Sequence, residues 1–374
     1  MEQANPIDFD ELNPADIEAL IPLALRGLQR MFVPSENLFC YSMLPGHHEC
    51  QGTSLRYSMI SVIGLAKARA AGYEIRFPVE DIMKVLFKRL HQMTPIGELG
   101  LFLWADALWE SGYQGSIFDR VKPFSRQQLR NVQTMELAWI LTGLSLSYEG
   151  GQSKEQRDYA QSVAEVLKAC FHEKTGLFCY RYHPGFRRMV PNFASEIYPI
   201  YALSKYHAVF GDQRGLEIAL KCAHHLCHLQ GENGEWGWLY NAQHGTLIDR
   251  YAVYSVHQDG MAPMALFALA DQTSVPFSDS IMKGLRWIYG QNELSLKMVN
   301  PKESLVYRSI YRPNPLVRYR NLFISLFGKT PSSPMQGGIK KVNDECRPYH
   351  LGWILEAWCG RTQQATGEPP ARTR

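Results

Sequence analysis

The 374-residue sequence contains no uninterrupted apolar run of the roughly 18 residues that a membrane-spanning helix needs. Its start carries Glu2, Asp8, Asp10 and Glu11 and lacks the basic region with which a secretory signal begins. We therefore expect a cytoplasmic protein. The formal net charge of +3 is too small to indicate a nucleic-acid partner, and none is expected.

Cysteine never occurs as a CxxC pair, which argues against a zinc ribbon or a thioredoxin-type site. Eight cysteines are ordinary usage for this length, and several fall in helix-like segments: Cys170, Cys222, Cys227 and Cys359. We expect reduced thiols, most of them buried as small apolar side chains.

The composition is that of a globular protein with a large core. Apolar residues make up 45% of the chain and charged residues 20%, which excludes a disordered chain. The length suits six helical hairpins in one body. We therefore predict a tail over 1–14, one domain over 15–361 and a disordered polar tail over 362–374.

One short motif occurs twice. Leu-Phe-Cys-Tyr at Leu38 to Tyr41, followed by Pro45 and Gly46, returns 139 residues later at Leu177 to Tyr180, again followed by Pro-Gly. Each copy lies between two helix-like segments. Recurrence at this separation indicates that one supersecondary unit has been stacked several times.

Apolar periodicity and chain-breaking residues identify the repeated unit as a helical hairpin. They predict helices near 15–31, 53–71, 79–92, 98–112, 131–147, 154–170, 192–210, 212–229, 254–271, 277–290 and 346–361, with a weaker one near 115–123. In each adjacent pair the first member is charged on one face, whereas the second is apolar nearly all round. This alternation predicts an all-α (α/α)6 toroid with an outer and an inner ring. Short β-hairpins, such as Leu177 to Tyr182 and Glu235 to Tyr240, are expected in loops at one end.

Long connections precede four of the predicted inner helices, at 32–52, 171–191, 230–253 and 291–345. In a ring of hairpins these connections emerge at the same end as the N-terminal turns of the inner helices. Long ordered loops gathered on one face are usually functional. We therefore expect the functional site at this end, which we call the built-up end.

The N-terminal turns of the predicted inner helices are rich in polar and aromatic residues. Helix capping explains carboxylates there, but not the recurrence of Arg, Tyr, His and Trp. A funnel lined by convergent protic groups is therefore expected. Its members are Arg56, Tyr57, Glu98, Trp104, Gln133, Glu136, Glu196, Tyr198, His257, Asp259, Arg347, Tyr349 and His350.

Asp259 is the preferred general acid or base. It opens the most apolar inner helix, where desolvation would raise the pKa of a carboxylic acid toward the range useful for proton transfer. His257, Glu196 and Glu136 are its candidate catalytic partners. Arg56 and Arg347 would bind an anionic group of the substrate.

The connection over 297–341 is strongly basic. It holds nine Lys or Arg residues against the single acid Glu303, interleaved with tyrosines and the apolar run Leu322 to Phe327. Three interpretations stay open. The segment is a lid over an acidic substrate, a surface at 316–329 that touches anionic lipid, or a solvated basic loop.

Two local patterns resemble known toroidal enzymes. Leu226, Gln230, Gly234 and Trp236 match the spacing of the QW motif of squalene-type terpenoid cyclases, although the aspartate-rich acid motif of those cyclases is absent. Cys346 and His350 with Asp344 are similar to the zinc ligands of protein prenyltransferases. We nevertheless predict neither a metal nor another cofactor.

The stretch from His257 through Asp259 to Met261 resembles the inner-helix pattern of unsaturated glucuronyl hydrolases. In that family the aspartate protonates the unsaturated uronate, which implies the same role for Asp259. His257 and Gln258 are also similar to the inner-helix histidine region of sugar 2-epimerases. Both resemblances point to the six-hairpin glycosidase-like toroids.

The sequence therefore predicts a carbohydrate-active enzyme that acts on an acidic sugar or glycan as a hydrolase, lyase or epimerase. Trp104, Trp236, Trp238 and Tyr349 would stack on sugar rings, and Tyr57, Tyr198 and His350 would complete the binding surface. Two alternatives are kept: a terpenoid cyclase-like or prenyltransferase-like enzyme, and a non-catalytic binding protein. The oligomeric state stays open.

Overall fold

The structure is a computed structural model that describes residues 12, 14–46, 49–148, 153–185, 187–314, 316–325, 327 and 340–361. The predicted C-terminal tail, and the N-terminal tail apart from residues 12 and 14, lie outside these ranges. In chain order the helices are α1 Pro14–Glu18, α2 Leu20–Met31, α3 Leu55–Ala70, α4 Val79–Lys88, α5 Ile96–Trp109, α6 Gln114–Val121, α7 Arg126–Leu129, α8 Thr134–Tyr148, α9 Lys154–Ala169, α10 Phe193–Phe210, α11 Gln213–Leu229, α12 Ala262–Thr273, α13 Ser278–Ile288, α14 Leu316–Ser325 and α15 Pro348–Trp358.

Six of these helices form a closed inner ring. α3, α5, α8, α10, α12 and α15 each contact the next, and α15 returns to α3. Each inner helix is preceded in the sequence by one of α2, α4, α6, α9, α11 and α13, or is followed by it, and these six pack against the ring from outside. Each of the twelve corresponds to a predicted helix, so the (α/α)6 toroid is confirmed.

The two rings differ as their patterns predict. In outer α9 the buried residues lie on one face of the helix and the remaining face is charged; they are Gln156, Ala160, Val163, Ala164, Val166 and Leu167. Inner helices are buried on nearly every side because both neighbours and the outer ring cover them. Small residues allow this close packing.

Glycines set the closest approach between neighbouring inner helices. A Cβ on Gly143 of α8 would come within 2.4 Å of the carbonyl oxygen of Gly100 in α5. A Cβ on Gly64 of α3 would come within 2.2 Å of the carbonyl oxygen of Gly352 in α15. Any larger residue would force these backbones apart.

All strands of the described residues lie in or beside the four long connections. They are β1 Phe32–Val33, β2 Leu38–Met43, β3 Cys50–Thr53, β4 Phe171–His172, β5 Leu177–Phe178, β6 Leu239–Asn241, β7 Thr246–Asp249, β8 Val253–Tyr254, β9 Val299–Asn300, β10 Leu305–Val306, β11 Ser309–Tyr311 and β12 Lys341–Asn343. They pair antiparallel as β1-β2-β3, β4-β5, β6-β7, β9-β10 and β8-β11-β12. One end of the toroid is therefore built up, as expected.

The two copies of Leu-Phe-Cys-Tyr occupy equivalent places. Phe39 pairs with Phe32 and Phe178 pairs with Phe171, so that each motif strand is bound to the end of the preceding outer helix. The helices that follow, α3 and α10, are three places apart in the six-membered ring. The copies are therefore opposite each other, as the spacing predicted.

Each motif strand is tied to the inner helix that follows it. The backbone N–H of Phe39 donates to Oγ of Ser58 at 2.9 Å, and the N–H of Phe178 donates to Oε2 of Glu196 at 2.8 Å. Both acceptors lie four residues after the capping residue of their helix. Both copies of the motif thus have the same structural role, which is to join the motif strand to the inner helix that follows; we call this connection the joint.

Three features differ from the sequence-based expectation. α7 and α14 are additional helices outside the predicted segments, and the helix predicted over 15–31 is divided into α1 and α2. The strand expected from Glu235 begins only at Leu239, because the residues before it turn around Gly234 at a φ of 89°. Finally, His257–Met261 forms a π-helical turn in front of α12, an arrangement often found at functional sites.

All eight cysteines are free thiols, and six are buried, as expected. Within the described ranges, no helix has the length and apolar character needed to cross a membrane.

Candidate functional site

The axis of the ring is closed by an aromatic cluster, which we call the aromatic floor. Trp104 stacks on Tyr201 with ring centroids 5.1 Å apart and lies 5.4 Å from Trp353, and Tyr198 lies 5.3 Å from Trp139 and 5.8 Å from Trp353. These side chains come from α5, α8, α10 and α15, which are not all neighbours in the ring, so they meet near its axis. All five are buried. The predicted binding residues Trp104 and Tyr198 thus form the floor of the funnel.

An ion pair and a second carboxyl group lie next to the aromatic floor. The guanidinium of Arg56 on α3 donates to Oε1 of Glu98 on α5, with Nη2 at 2.9 Å, and lies 5.7 Å from the ring of Trp139. Glu136 on α8 lies beside this pair. We call Arg56, Glu98 and Glu136 the charged cluster.

The pKa of Glu136 is raised. Burial is the largest cause, and the positive charge of Arg56 opposes it; the negative charge of Glu98 raises the pKa further, and a hydrogen bond from the backbone of Gly97 lowers it. Glu136 nevertheless keeps part of its surface exposed. A partly exposed carboxyl whose pKa is raised by burial beside an ion pair is suited to general acid catalysis.

A cleft of about 410 Å³ opens beside Glu136 at the rim. The amide side chains of Gln128, Asn131 and Gln133 line it together with Arg181. Amides both donate and accept, so they match the hydroxyl groups of a sugar, and an arginine matches a carboxylate.

Sequence reasoning missed Gln128, Asn131 and Arg181. Arg181 directly follows the second Leu-Phe-Cys-Tyr copy and forms a β-bridge with Gln133, at the start of an inner helix. The repeated motif was thus the available signal, because it marks the rim. The other two lie around the short helix α7, for which no pattern was recognised.

Stacked tyrosines form another wall of the funnel mouth, by which we mean the opening of the funnel at the built-up end. The rings of Tyr57 and Tyr349 lie 4.7 Å apart, and Tyr41 stacks on Tyr57 at 5.5 Å. Arg347 donates to the Tyr57 hydroxyl and to the Glu345 carboxylate, and its guanidinium covers the ring of Tyr41 at 4.4 Å. The structure therefore brings the predicted residues Tyr57, Arg347 and Tyr349 together.

His257 lies in a third, aromatic wall. Its ring is stacked between Phe193 at 4.4 Å and Trp238 at 5.9 Å, with Tyr254 at 5.2 Å. Burial, and to a smaller extent the nearby His350, lower the pKa of His257 to about 3. The imidazole is therefore neutral at ordinary pH. Trp238 and Tyr254 remain partly exposed beside it.

Asp259 is placed differently from the expectation of a carboxylate open to the funnel. Its Oδ1 lies 2.7 Å from Nε2 of His350, its backbone oxygen accepts from the indole N–H of Trp358, and its side chain is completely buried. It also acts electrostatically on Tyr289 at the end of outer helix α13. Asp259 thus lies in the seam between α12, α15 and the outer ring, where the π-helical turn directs it.

Burial raises the pKa of Asp259, against the opposing effect of His350. This direction agrees with the desolvation expected from the sequence. The catalytic role of Asp259 stays a prediction, because its carboxyl has no exposed surface in this structure.

Glu196 also faces the outer ring. Besides accepting from the backbone of Phe178, its carboxyl lies 3.6 Å from the thiol of Cys222 on α11. Burial raises its pKa well above the usual range. Its position explains the joint with the motif strand better than it explains a catalytic role.

Trp236 is buried behind the mouth, and the QW pattern proves to be a helix lock. Nε2 of Gln230 donates to the carbonyl oxygens of Gly234 at 2.8 Å and Ser280 at 2.9 Å, joining the end of α11 to α13. The backbone N–H of Trp236 donates to Gln258. This predicted stacking residue therefore packs inside the protein.

No metal-binding arrangement is formed in the described part of the chain, where no three His, Cys, Asp or Glu side chains are grouped to hold an ion. His350 contacts Asp259, while the thiol of Cys346 lies 3.3 Å from the backbone oxygen of Asp344. The three residues of the prenyltransferase-like pattern are thus not brought together.

Solved structures that share the (α/α)6 toroid fold of this chain include several sugar-acting enzymes. The chain is similar to a sugar epimerase from a ruminal bacterium, with 10% identity, a TM-score of 0.66 and coverage of 93% of this chain and 98% of that one. Cellobiose 2-epimerase from Bacillus thermoamylovorans B4167 gives 8% identity, a TM-score of 0.65 and coverage of 93% and 99%. An unsaturated glucuronyl hydrolase specific for heparin gives 11% identity, a TM-score of 0.60 and coverage of 96% of this chain and 99% of that one. No family model and no curated protein sequence matches the chain.

Proposed function

We propose that the protein is a carbohydrate-active enzyme whose site is the cleft beside Glu136. The observation that carries this proposal is the charged cluster, in which Glu136 has a raised pKa next to the Arg56–Glu98 ion pair and faces a cleft lined by amides. Glu136 serves as the general acid, which donates a proton to the reacting atom of the sugar.

The substrate is an acidic sugar or glycan. Arg181 lines the cleft and supplies positive charge for a carboxylate, while Arg56 and Arg347 lie nearby, paired with Glu98 and Glu345. The amides beside Glu136 bind hydroxyl groups, and the exposed faces of Tyr349 and Trp238 stack on sugar rings. The solved structures with this fold include an unsaturated glucuronyl hydrolase, whose name specifies an acidic sugar, and a cellobiose 2-epimerase, whose name specifies a neutral one. Both names support a sugar substrate here, and the first supports an acidic one.

The chemistry needs one proton donor and one acceptor. Glu136 supplies the donor, and Glu98, which is held by Arg56 and acts electrostatically on Glu136, serves as the acceptor. The same pair suits hydrolysis, elimination or epimerisation, since each requires proton transfer to or from the sugar.

The test is a substrate screen that compares uronate-containing disaccharides, including unsaturated ones, with neutral disaccharides. Products are identified by NMR spectroscopy. For any substrate that is turned over, Glu136→Gln should lower kcat by about 100-fold or more. Glu232→Gln, which changes an exposed glutamate, is the matched control and should leave kcat unchanged.

Asp259→Asn and Glu196→Gln belong in the same comparison. If either abolishes turnover while its fold is intact and Glu136→Gln does not, the acid is at the position first predicted from the sequence. Full activity of Glu136→Gln would overturn its assignment as the general acid.

A non-catalytic binding protein is the second candidate function. It is favoured by the burial of Asp259 and Glu196, both of which are engaged by other groups of the protein. This candidate expects saturable binding of an acidic glycan in calorimetry, weakened by Arg56→Gln, with no product from any substrate. A terpenoid substrate is less well supported, because the aromatic floor is closely packed.

A further inference from the structure

The most exposed large apolar side chains of the described residues all belong to one short segment. Leu316, Tyr319, Phe323 and Phe327 are 69%, 66%, 62% and 67% exposed. The first three lie on α14, and all four are spaced by three or four residues, which puts the helical ones on one face. We call these four residues the apolar face. An exposed contiguous face of this kind marks an interaction site.

The opposite side of α14 fixes the helix to the toroid. Asn321 and Ser325 are buried, and Nδ2 of Asn241 donates to the backbone oxygen of Ser325 at 2.9 Å. Nε of Arg318 lies 3.5 Å from Oδ2 of Asp249. The helix therefore packs on the β6-β7 hairpin, and its apolar face points away from the protein.

The chain around the apolar face is basic. From residue 304 to residue 343 the sequence has no Asp or Glu. Arg308 pairs with Glu345, and both Arg312 and Arg318 approach Asp249. Arg320 and Lys341 are exposed, and neither forms an ion pair within the described ranges.

We propose that this segment binds the surface of an anionic membrane. The apolar face enters the interfacial region of the lipid, and Arg320 and Lys341 lie against anionic headgroups. Apolar and aromatic residues beside unpaired cations are the features that make an amphipathic helix bind at such an interface. This proposal is independent of the chemistry assigned to Glu136.

A second copy of the chain is a less suitable partner for the apolar face than a membrane. A symmetric dimer through the apolar face would bring two segments of equal positive charge together, because each lacks acidic residues over 304–343. An anionic lipid surface offers both the apolar and the negative partner. Since α14 packs beside the β6-β7 hairpin, the built-up end of the toroid would then approach the membrane.

Flotation with lipid vesicles tests the proposal on the full chain. Vesicles of phosphatidylcholine alone are compared with vesicles of equal parts phosphatidylcholine and phosphatidylglycerol. The protein should float only with the anionic vesicles, and less so as salt is raised. Phe323→Ser and Leu316→Ser should each weaken vesicle binding by about tenfold or more, and Arg320→Gln by about fivefold.

Tyr73→Ser is the matched control. Tyr73 is a partly exposed aromatic residue after α3, at the end of the toroid opposite the site, and its loss should not change vesicle binding. Circular dichroism establishes that each variant is folded. Failure of the wild-type chain to float with anionic vesicles would overturn the proposal, as would unaltered flotation of Phe323→Ser. Conversion of a wild-type dimer to a monomer by Phe323→Ser, without lipid binding, would show that the occupant is a second copy.

Discussion

The backbone of Gly97 lies directly against the side chain of Glu136. A Cβ at position 97 would come within 2.6 Å of Cγ of Glu136, and the backbone of Gly97 is also hydrogen-bonded to the carboxyl. Because Gly97 is the second residue of α5, the positive end of that helix lies beside the proposed general acid. The position of Glu136 therefore depends on the absence of a side chain at residue 97.

We expect Gly97→Ala to displace Glu136 and lower kcat on an identified substrate. The crowding should also reduce the free energy of unfolding by about 1–3 kcal/mol, measured by urea titration. Gly115→Ala in α6 is the control, because a Cβ there meets no atom within 4 Å. Gly115→Ala should keep activity, and its free energy of unfolding should rise by up to about 1 kcal/mol because alanine has the better helix propensity. Equal effects of the two changes would contradict the prediction.

Glu196 gives a prediction about stability at neutral pH. Its pKa is raised well above 4.5, so folding costs free energy once the unfolded chain has ionised this carboxyl. Stability from this group is therefore lost as pH rises from about 4.5 toward the folded pKa. Glu196→Gln removes the ionisation and keeps an oxygen for the Phe178 N–H, so it should be at least as stable as wild type at neutral pH.

Glu196→Ala separates the hydrogen bond from the charge. It leaves the buried N–H of Phe178 without its acceptor, which should cost about 1–3 kcal/mol in urea unfolding. Should the alanine variant equal the glutamine variant in stability, the joint between β5 and α10 would not be stabilising.

The fold was largely predictable from the sequence because it depends on periodicity. Twelve helices, their alternation between the rings and the placement of the long connections all follow from which residues must be buried. α14 was missed as a helix, since its apolar residues face outward and no core requires them. α7 is a single turn, too short for a periodic signal.

The candidate site was only partly predictable. Arg56, Tyr57, Glu136, Trp238, Arg347 and Tyr349 were expected at the mouth, and the structure places them there. For Glu196 and Asp259 the sequence showed the correct helix turn but not the direction of the side chain. The direction of a side chain depends on how its helix is rotated about its own axis. At Asp259 the π-helical turn changes this rotation by an amount that no periodic pattern reveals.

Gln230 provides a test of the helix lock. Gln230→Ala removes the donor for two carbonyl oxygens, at Gly234 and Ser280, and should lower the free energy of unfolding by about 1–3 kcal/mol. Gln213→Ala, at the exposed start of the same helix, should leave it within about 0.5 kcal/mol of wild type. A lock that contributes nothing would give the two variants the same stability.

His257 predicts how stability depends on pH. Its pKa is about 3 in the folded protein against 6.5 as the reference value, so the unfolded chain binds a proton that the folded chain does not between these values. Stability should therefore fall as pH is lowered from 6.5 toward 3, by on the order of 5 kcal/mol at most from this group. His257→Phe keeps a ring between Phe193 and Trp238 but cannot be protonated.

Urea unfolding at a series of pH values measures this contribution. The difference in the free energy of unfolding between wild type and His257→Phe should change with pH by the amount expected for one proton, and only below about pH 6.5. The neighbouring groups His350 and Asp259 are present in both proteins, so their contributions to the free energy of unfolding largely cancel in the difference. His91→Phe, at an exposed position, should leave the pH dependence unchanged. If His257→Phe retained the pH dependence of wild type, the imidazole would already be protonated or solvated in the folded state, and the closed aromatic wall around it would have to be open.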